Sequence, residues 1–286
     1  MKTYLDCIPC LARQALGAAR LATSDATVHE RVLRRVLTAM SRMEMSQSPP
    51  AMAEQIQCVI SEIIGDEDPY REMKRGFTEF ALGLLPRLRE RVGQAPDPFA
   101  LAVRLAIAGN IIDAGVNPGV AQEHVRQAID WALAAPLDRG ALEQLRVAVK
   151  NASSILYLAD NAGEIVLDRL LLERISPHKV MLAVRGGPVL NDATVEDARA
   201  AGLTDLVRVV DNGSSAPGTI LEDCSDSFRA HFASADLVIA KGQGNYESLN
   251  DAQREIYFLF KAKCEVVARD LGCEVGQMVV AKTNHE

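Results

Sequence analysis

Positive charge is in short supply: 31 Lys and Arg stand against 38 Asp and Glu, a formal net charge of -7. A protein that tracks a phosphate backbone needs a basic face, so nucleic acid is not an expected partner, although a local basic pocket stays open. Long apolar runs are missing too. Nothing approaches the roughly 18–20 consecutive apolar residues that span a bilayer, so no membrane partner is expected. The opening MKTYLDCIPCLARQAL places Asp6 and two cysteines where a signal peptide carries an unbroken apolar stretch. The expected location is therefore cytoplasmic, with the six cysteines kept as reduced thiols. There is no second C-x-x-C to complete a zinc or iron–sulfur site around Cys7 and Cys10, which then read as two buried thiols. A G-x-x-x-x-G-K-[ST] phosphate loop is absent, and no strand leads into G-x-G-x-x-G. What is there is average for a soluble globular chain: 286 residues, 48% hydrophobic and 24% charged, enough for one large domain or two modest ones.

The pattern changes character halfway. Residues 1–150 read as a helical part. Segments from about 9 to 22, from Val28 to Met43 behind Asp25 and Thr27 as caps, and from Pro49-Pro50 onward all carry apolar residues at helical spacing. A helix from near Tyr70 and the alanine-rich PDPFALAVRLAIAGNIIDAG follow, then helices through Trp131 and over 140–150. Residues 151–286 read as an α/β core. SILYLAD, KVMLAVRG, DLVRVVDNG and DLVIAKG are strands separated by helices; a helix is expected from near Tyr246 towards Lys263, and CEVVARDLG as a last strand. Alternation of this kind implies crossover connections and a mostly parallel sheet, hence a three-layer α/β/α core beside the helical part, closely packed enough to form one body.

Ligands of open parallel sheets bind beyond the carboxyl ends of the strands. The first strand ends in Asp160-Asn161, two oxygen donors side by side, followed by small residues that let backbone approach a ligand. Carboxylate and amide oxygens suit Mg, Mn or Ca rather than zinc, though Asp160 alone also reads as a helix cap. After the second strand come Arg185, which could meet a phosphate or solvent, and Asp192, a third ligand or the cap of the next helix. The fourth strand ends in Lys241-Gly242-Gln243-Gly244-Asn245-Tyr246-Glu247, where glycines free the backbone to wrap an anion and Lys241 could neutralise it. Asn110 and Asp113 share a face of the alanine-rich helix, with Asn117 on the same side if it continues; they either bond within the core or reach the site.

With Asp160-Asn161-Ala162-Gly163-Glu164, Asn191-Asp192-Ala193-Thr194 and Lys241 to Glu247 in order, the chain resembles domain-of-unknown-function family 89, the damage-control phosphatases with an ARMT-like metal-binding domain. Cys7-Ile8-Pro9-Cys10, Asp68-Pro69-Tyr70-Arg71 and Gly109 to Asp113 are similar to its shorter bacterial and archaeal branch, so the likeness spans nearly the whole sequence. The resemblance implies a divalent metal (Mn, Mg, Co or Ni) and hydrolysis of small phosphorylated metabolites such as sugar phosphates or phosphopantetheine derivatives. It implies metal ligation by Asp160, Asn161 and Asp192, a substrate loop over Gln243, Gly244, Asn245 and Glu247, and a basic residue on the following helix at Lys261, with Lys263 as the alternative. Eukaryotic members carry an acidic residue at the position of Gln243 and a basic one at that of Glu247, a departure that bears on which substrate the resemblance implies and not on the metal site. The attacking group is either metal-activated water or Asp160 itself, through a phospho-aspartate. The competing readings are a non-catalytic metal or phosphometabolite-binding protein, a carboxyl methyltransferase (weakened by the lack of a Gly-rich adenosylmethionine loop after the first strand) and a redox or cluster protein built on Cys7 and Cys10.

Overall fold

A computed structural model describes residues 1–65, 68–109, 127 and 129–283. Helices α1 (Cys7–Ala22), α2 (Ala26–Met40), α3 (Pro49–Ile64), α4 (Arg71–Gln94), α5 (Pro98–Gly109) and α6 (Arg139–Asn151) precede the sheet. Local chemistry sets their ends. Asp25 accepts the Thr27 amide at the start of α2, the Pro49-Pro50 pair opens α3, and Gly65 closes α3 in the left-handed conformation. Strands β1 (Ile155–Leu158), β2 (Val180–Val184), β3 (Arg208–Asp211), β4 (Leu237–Lys241), β5 (Ile256–Lys261) and β6 (Met278–Lys282) alternate with α7 (Glu164–Leu172), α8 (Val195–Ala200), α9 (Asp226–Ser234), α10 (Gln243–Leu249) and α11 (Glu265–Leu271).

The strands form one sheet in the order β3-β2-β1-β4-β5-β6, parallel except for β6, which runs antiparallel to β5. Side-chain alternation divides it into two buried faces. Ile155 and Tyr157 of β1 pack with α4, α5, α7 and α8; Leu156 and Leu158 pack with α9, α10 and α11. This is the expected three-layer α/β/α arrangement with a mostly parallel sheet. A third apolar cluster joins α1, α2 and α3, with Tyr70 at its edge. Helix α4 is fastened to the core by Arg89, whose guanidinium reaches both carboxylate oxygens of Glu173 at 2.7 and 2.9 Å. The buried Lys74 ammonium bridges Asp68 at 3.0 Å and Asp197, in the first turn of α8, at 3.1 Å.

Two segments depart from the sequence reading. The expected helix from Tyr246 to Lys263 ends at Leu249, and Ile256–Lys261 is strand β5. Its run Ile-Tyr-Phe-Leu-Phe is buried on both faces, as an interior strand requires, and such a run carries no period to distinguish it from a helix. CEVVARDLG is helix α11, capped by left-handed Gly272, and the last strand is Met278–Lys282.

Candidate functional site at the switch of strand order

The chain leaves β1 towards β2 on one side and returns to β4 on the other, so the carboxyl ends of β1 and β4 flank the point where strand order reverses. Connections diverge there and leave a crevice, the usual ligand position in an open sheet. Asp160-Asn161 follow β1, and Gly242-Gln243 join β4 to α10. Backbone bonds lace the loops together. The Ala193 amide donates to the Asp160 carbonyl at 2.7 Å, and the Ala162 amide donates to the Asn191 carbonyl at 2.9 Å. Asn161 and Asp192 thereby pair as an isolated antiparallel bridge. Gly242 has φ +80°, and a Cβ there would sit 1.9 Å from Asp160 Oδ2. Only glycine lets the β4–α10 turn close on the carboxylate.

Neither aspartate is a cap. Helix α7 has Gly163 at its N-cap and no side-chain cap, and α8 is opened by a capping box between Thr194 and Asp197. Asp160 and Asp192 are both buried. Burial, then the charges of Glu164 and Asp192, push the Asp160 carboxyl well above the usual carboxylate range, against the pull of Lys263 and Arg185. Arg185, also buried, donates from Nε to Asp192 Oδ2 at 2.6 Å and holds Nη2 3.8 Å from Asp160 Oδ1. Asn161 donates from Nδ2 to Asp160 Oδ2 at 3.0 Å and to Glu164 Oε2 at 2.9 Å.

Asp160, Asn161 and Asp192 form one wall of a cleft of about 640 Å³. Gln243, Gly244 and Glu247 line it from α10, with Lys263 and Cys264 beside them; Cys7, Cys10 and Arg13 line it from α1. Gln243 ties the loop together. Its Nε2 donates to Glu247 Oε1 at 2.8 Å, and its Oε1 accepts the Lys263 amide at 2.9 Å. Burial pushes the Glu247 carboxyl up to about 7, with Gln243, the amino terminus and Lys263 pulling it back.

Several sequence-derived assignments need correcting. Lys241 does not face the cleft: its side chain is fully buried, and its ammonium donates to Glu164 Oε1 at 2.5 Å, Asp168 Oδ1 at 2.6 Å and the Ala106 carbonyl at 2.9 Å. With three donors engaged it has none for a phosphate. Asn245 is likewise fully buried, its amide braced against the Ala159 and Lys241 carbonyls at 3.1 and 2.7 Å and its oxygen taken by Thr219 at 2.8 Å. Lys261 ends a strand rather than lying on a helix, and its ammonium stands 4.8 Å over the Trp131 ring; Lys263 is the one at the cleft. Cys7 and Cys10 are half-buried and exposed on the cleft wall rather than interior. Burial raises both thiols above their ordinary range. Asn110, Asp113 and Asn117 lie outside the described residues.

Sequence reasoning passed over Glu164 and Asp168. Their signal was available: two acids at i, i+4 in EIVLDRLLL, apolar but for these and Arg169, put both carboxylates on one face of a buried helix.

The donors at the head of the cleft are all oxygens, two carboxylates and one amide. Among the described residues no three His, Cys, Asp or Glu side chains form a ready-made cage, which also leaves no described cluster around Cys7 and Cys10. The oxygen set fits a hard divalent cation, which would offset the charges of Glu164 and Asp192 that, after burial, raise Asp160. Among the described residues no helix is long and apolar enough to cross a membrane.

Comparison with known proteins finds relatives along nearly the whole chain. A damage-control phosphatase of Archaeoglobus fulgidus is 37% identical over 285 residues, 98% of either chain. Damage-control phosphatase PH1575 of Pyrococcus horikoshii is 34% identical over 98% of this chain and 97% of its own. The crystal structure of a DUF89 family protein from Pyrococcus horikoshii superposes with a TM-score of 0.88 at 33% identity, covering 99% of this chain and all of that one. The damage-control phosphatase ARMT1-like domain matches residues 3–279, and the chain belongs to that family.

Proposed function

We propose that the protein is a divalent-metal-dependent phosphatase that hydrolyses monoesters of small phosphorylated metabolites, of the sugar phosphate or phosphopantetheine kind, in the cleft at the switch of strand order. The observation that carries this reading is the convergence of Asp160, Asn161 and Asp192 from two separate loops onto one buried wall of that cleft, in a chain of this family. Asp160, the Asn161 side-chain oxygen and Asp192 would hold Mn, Mg, Co or Ni. When bound, the ion offsets charge on the phosphoryl oxygens in the transition state. Arg185 fixes Asp192 and keeps a second guanidinium nitrogen near Asp160. Lys263 and Arg13 supply cationic charge at the cleft for the remaining phosphate oxygens. Gln243 and Glu247 offer hydrogen-bonding groups to substrate hydroxyls, while Pro49, Leu190 and Val266 give the cleft apolar walls.

The test is a metal-by-substrate hydrolysis screen on the full chain, with Asp160→Asn and Asp192→Asn alongside. Turnover should need added cation and vanish in both variants. Activity that persists in a chelated sample sinks the proposal, and so does binding of cation and ester without turnover across the panel.

A further inference from the structure

We infer that Glu164, gripped by the buried Lys241, is a positioning residue that sets which way round the Asn161 carboxamide sits, turning its oxygen to the cleft. The inference rests on the proposed role of Asn161 as an oxygen ligand. An asparagine amide has two faces of similar shape and opposite chemistry, and nothing in its own rotamer preference selects one. Here the selection comes from its neighbours. The Asn161 amide lies between Asp160 Oδ2 at 3.0 Å and Glu164 Oε2 at 2.9 Å. Glu164 Oε1 accepts from the Lys241 ammonium and Oε2 stands beside Asn161 as an acceptor, so Glu164 takes N–H from Asn161; the other amide hydrogen goes to Asp160 Oδ2, and both are held inside. Oδ1 is left as the group Asn161 can present to the cleft it lines.

Glu164 can impose this only if it is held still. It is completely buried, where a carboxylate needs a partner. Lys241 is that partner. Its ammonium binds Glu164 Oε1 at 2.5 Å, leaving Oε2 for Asn161, and it is anchored in turn by Asp168 at 2.6 Å and the Ala106 carbonyl at 2.9 Å. Tyr157 donates to Asp168 at 2.9 Å and fixes the far end. A line of buried polar groups thus runs from the floor of the sheet to the one amide in the donor set.

Glu164→Gln tests this, because it preserves shape while removing one acceptor. Lys241 has only N–H to offer, so the new amide must turn its oxygen to Lys241 and its NH2 to Asn161. Asn161 then loses the acceptor that selected its orientation: meeting the new amide turns Oδ1 inward and its own NH2 to the cleft, at the cost of its bond to Asp160 Oδ2. Two measurements on the full chain follow. In metal-free protein with asparagine-selective nitrogen labelling, the Asn161 side-chain NH2 of the wild type should exchange with solvent more slowly than exposed asparagine amides, and the Glu164→Gln variant should lose that protection. Mn2+ affinity, read by the paramagnetic resonance signal of free Mn2+, should fall about 10- to 100-fold, the range for losing an outer-shell partner of a ligand. A wild-type Asn161 NH2 that exchanges as fast as exposed amides overturns the inference and needs no variant. Unchanged protection and Mn2+ affinity in a folded Glu164→Gln protein also overturn it. Loss of protection in the variant, together with a wild type that never binds Mn2+, would keep the positioning role and refute the metal reading instead.

Discussion

Replacing Lys241 with methionine should cost about 3–5 kcal/mol of folding stability, the range for removing one partner of a buried ion pair. The stem survives, since Met fills most of the space of the four-carbon chain. The ammonium and its bonds at 2.5, 2.6 and 2.9 Å do not. Glu164 and Asp168, both completely buried, are left facing each other without a cation. A net loss near 1 kcal/mol would be the ordinary value of a hydrogen bond; the larger figure comes from stranding two carboxylates in the interior. For a domain of this size each kcal/mol shifts the melting midpoint by about 2–4 °C, so the variant should melt about 6–20 °C below the wild type at pH 7. The effect also carries a pH signature. In the wild type, burial already pushes the Asp168 carboxyl up to about 6, with Lys241 pulling it back. A folded-state value above the unfolded one means its contribution is full at low pH and is lost as pH rises through about 6. Without Lys241 that loss moves to higher pH and deepens, so the gap between variant and wild type should widen from pH 5 to pH 8. Chemical or thermal unfolding at those two pH values is the assay. A loss below about 1 kcal/mol at pH 7, or a gap that does not change with pH, would refute the claim that Lys241 is the counter-ion of both acids.

Gly242→Ala should abolish Mn2+ binding and ester hydrolysis, because its Cβ lands 1.9 Å from Asp160 Oδ2 at φ +80°, and should destabilise by about 1–3 kcal/mol through backbone strain; wild-type kinetics in that variant would show that the turn does not need to close on Asp160. Lys263→Ala should raise KM for a phosphate ester while Lys261→Ala leaves kinetics unchanged and loses at most about 1 kcal/mol of contact with the Trp131 ring; steady-state assays giving the reverse pattern would return the phosphate role to Lys261. Glu247→Gln should flatten the dependence of the melting midpoint on pH, since a carboxyl raised to about 7 in the fold favours the folded state below its unfolded value near 4.5 and loses that favour as pH rises through 7. The variant should therefore gain on the wild type between pH 5 and pH 8 in scanning fluorimetry, and parallel profiles would show that Glu247 is solvated rather than desolvated.

What the sequence revealed of this site and what it concealed follow from one property of parallel sheets. Strand ends are visible in a sequence, because apolar runs such as ILYL and LVIA stop abruptly, and ligands gather beyond such ends; position made Asp160, Asn161 and Asp192 candidates, each aspartate also readable as a helix cap, and the family resemblance made them a ligand set. The direction of a side chain at a strand end is another matter. Lys241 shares a sheet face with Leu237 and Ile239, which pack beneath α5 and α7, so strand parity already pointed its stem inward. An isolated lysine there would still turn outward. What holds it in is the pair Glu164 and Asp168, one helical turn apart on α7 and more than seventy residues earlier. A long-range ion pair leaves no local period to read. The same limit explains Lys261 and Lys263, whose fates turned on whether FLFK was helix or strand. The charges legible as site residues were those whose position along the backbone is itself the information. Those misassigned were the ones whose role depends on a partner across the fold, and Lys241 shows that such a residue can act beneath the site it was expected to occupy.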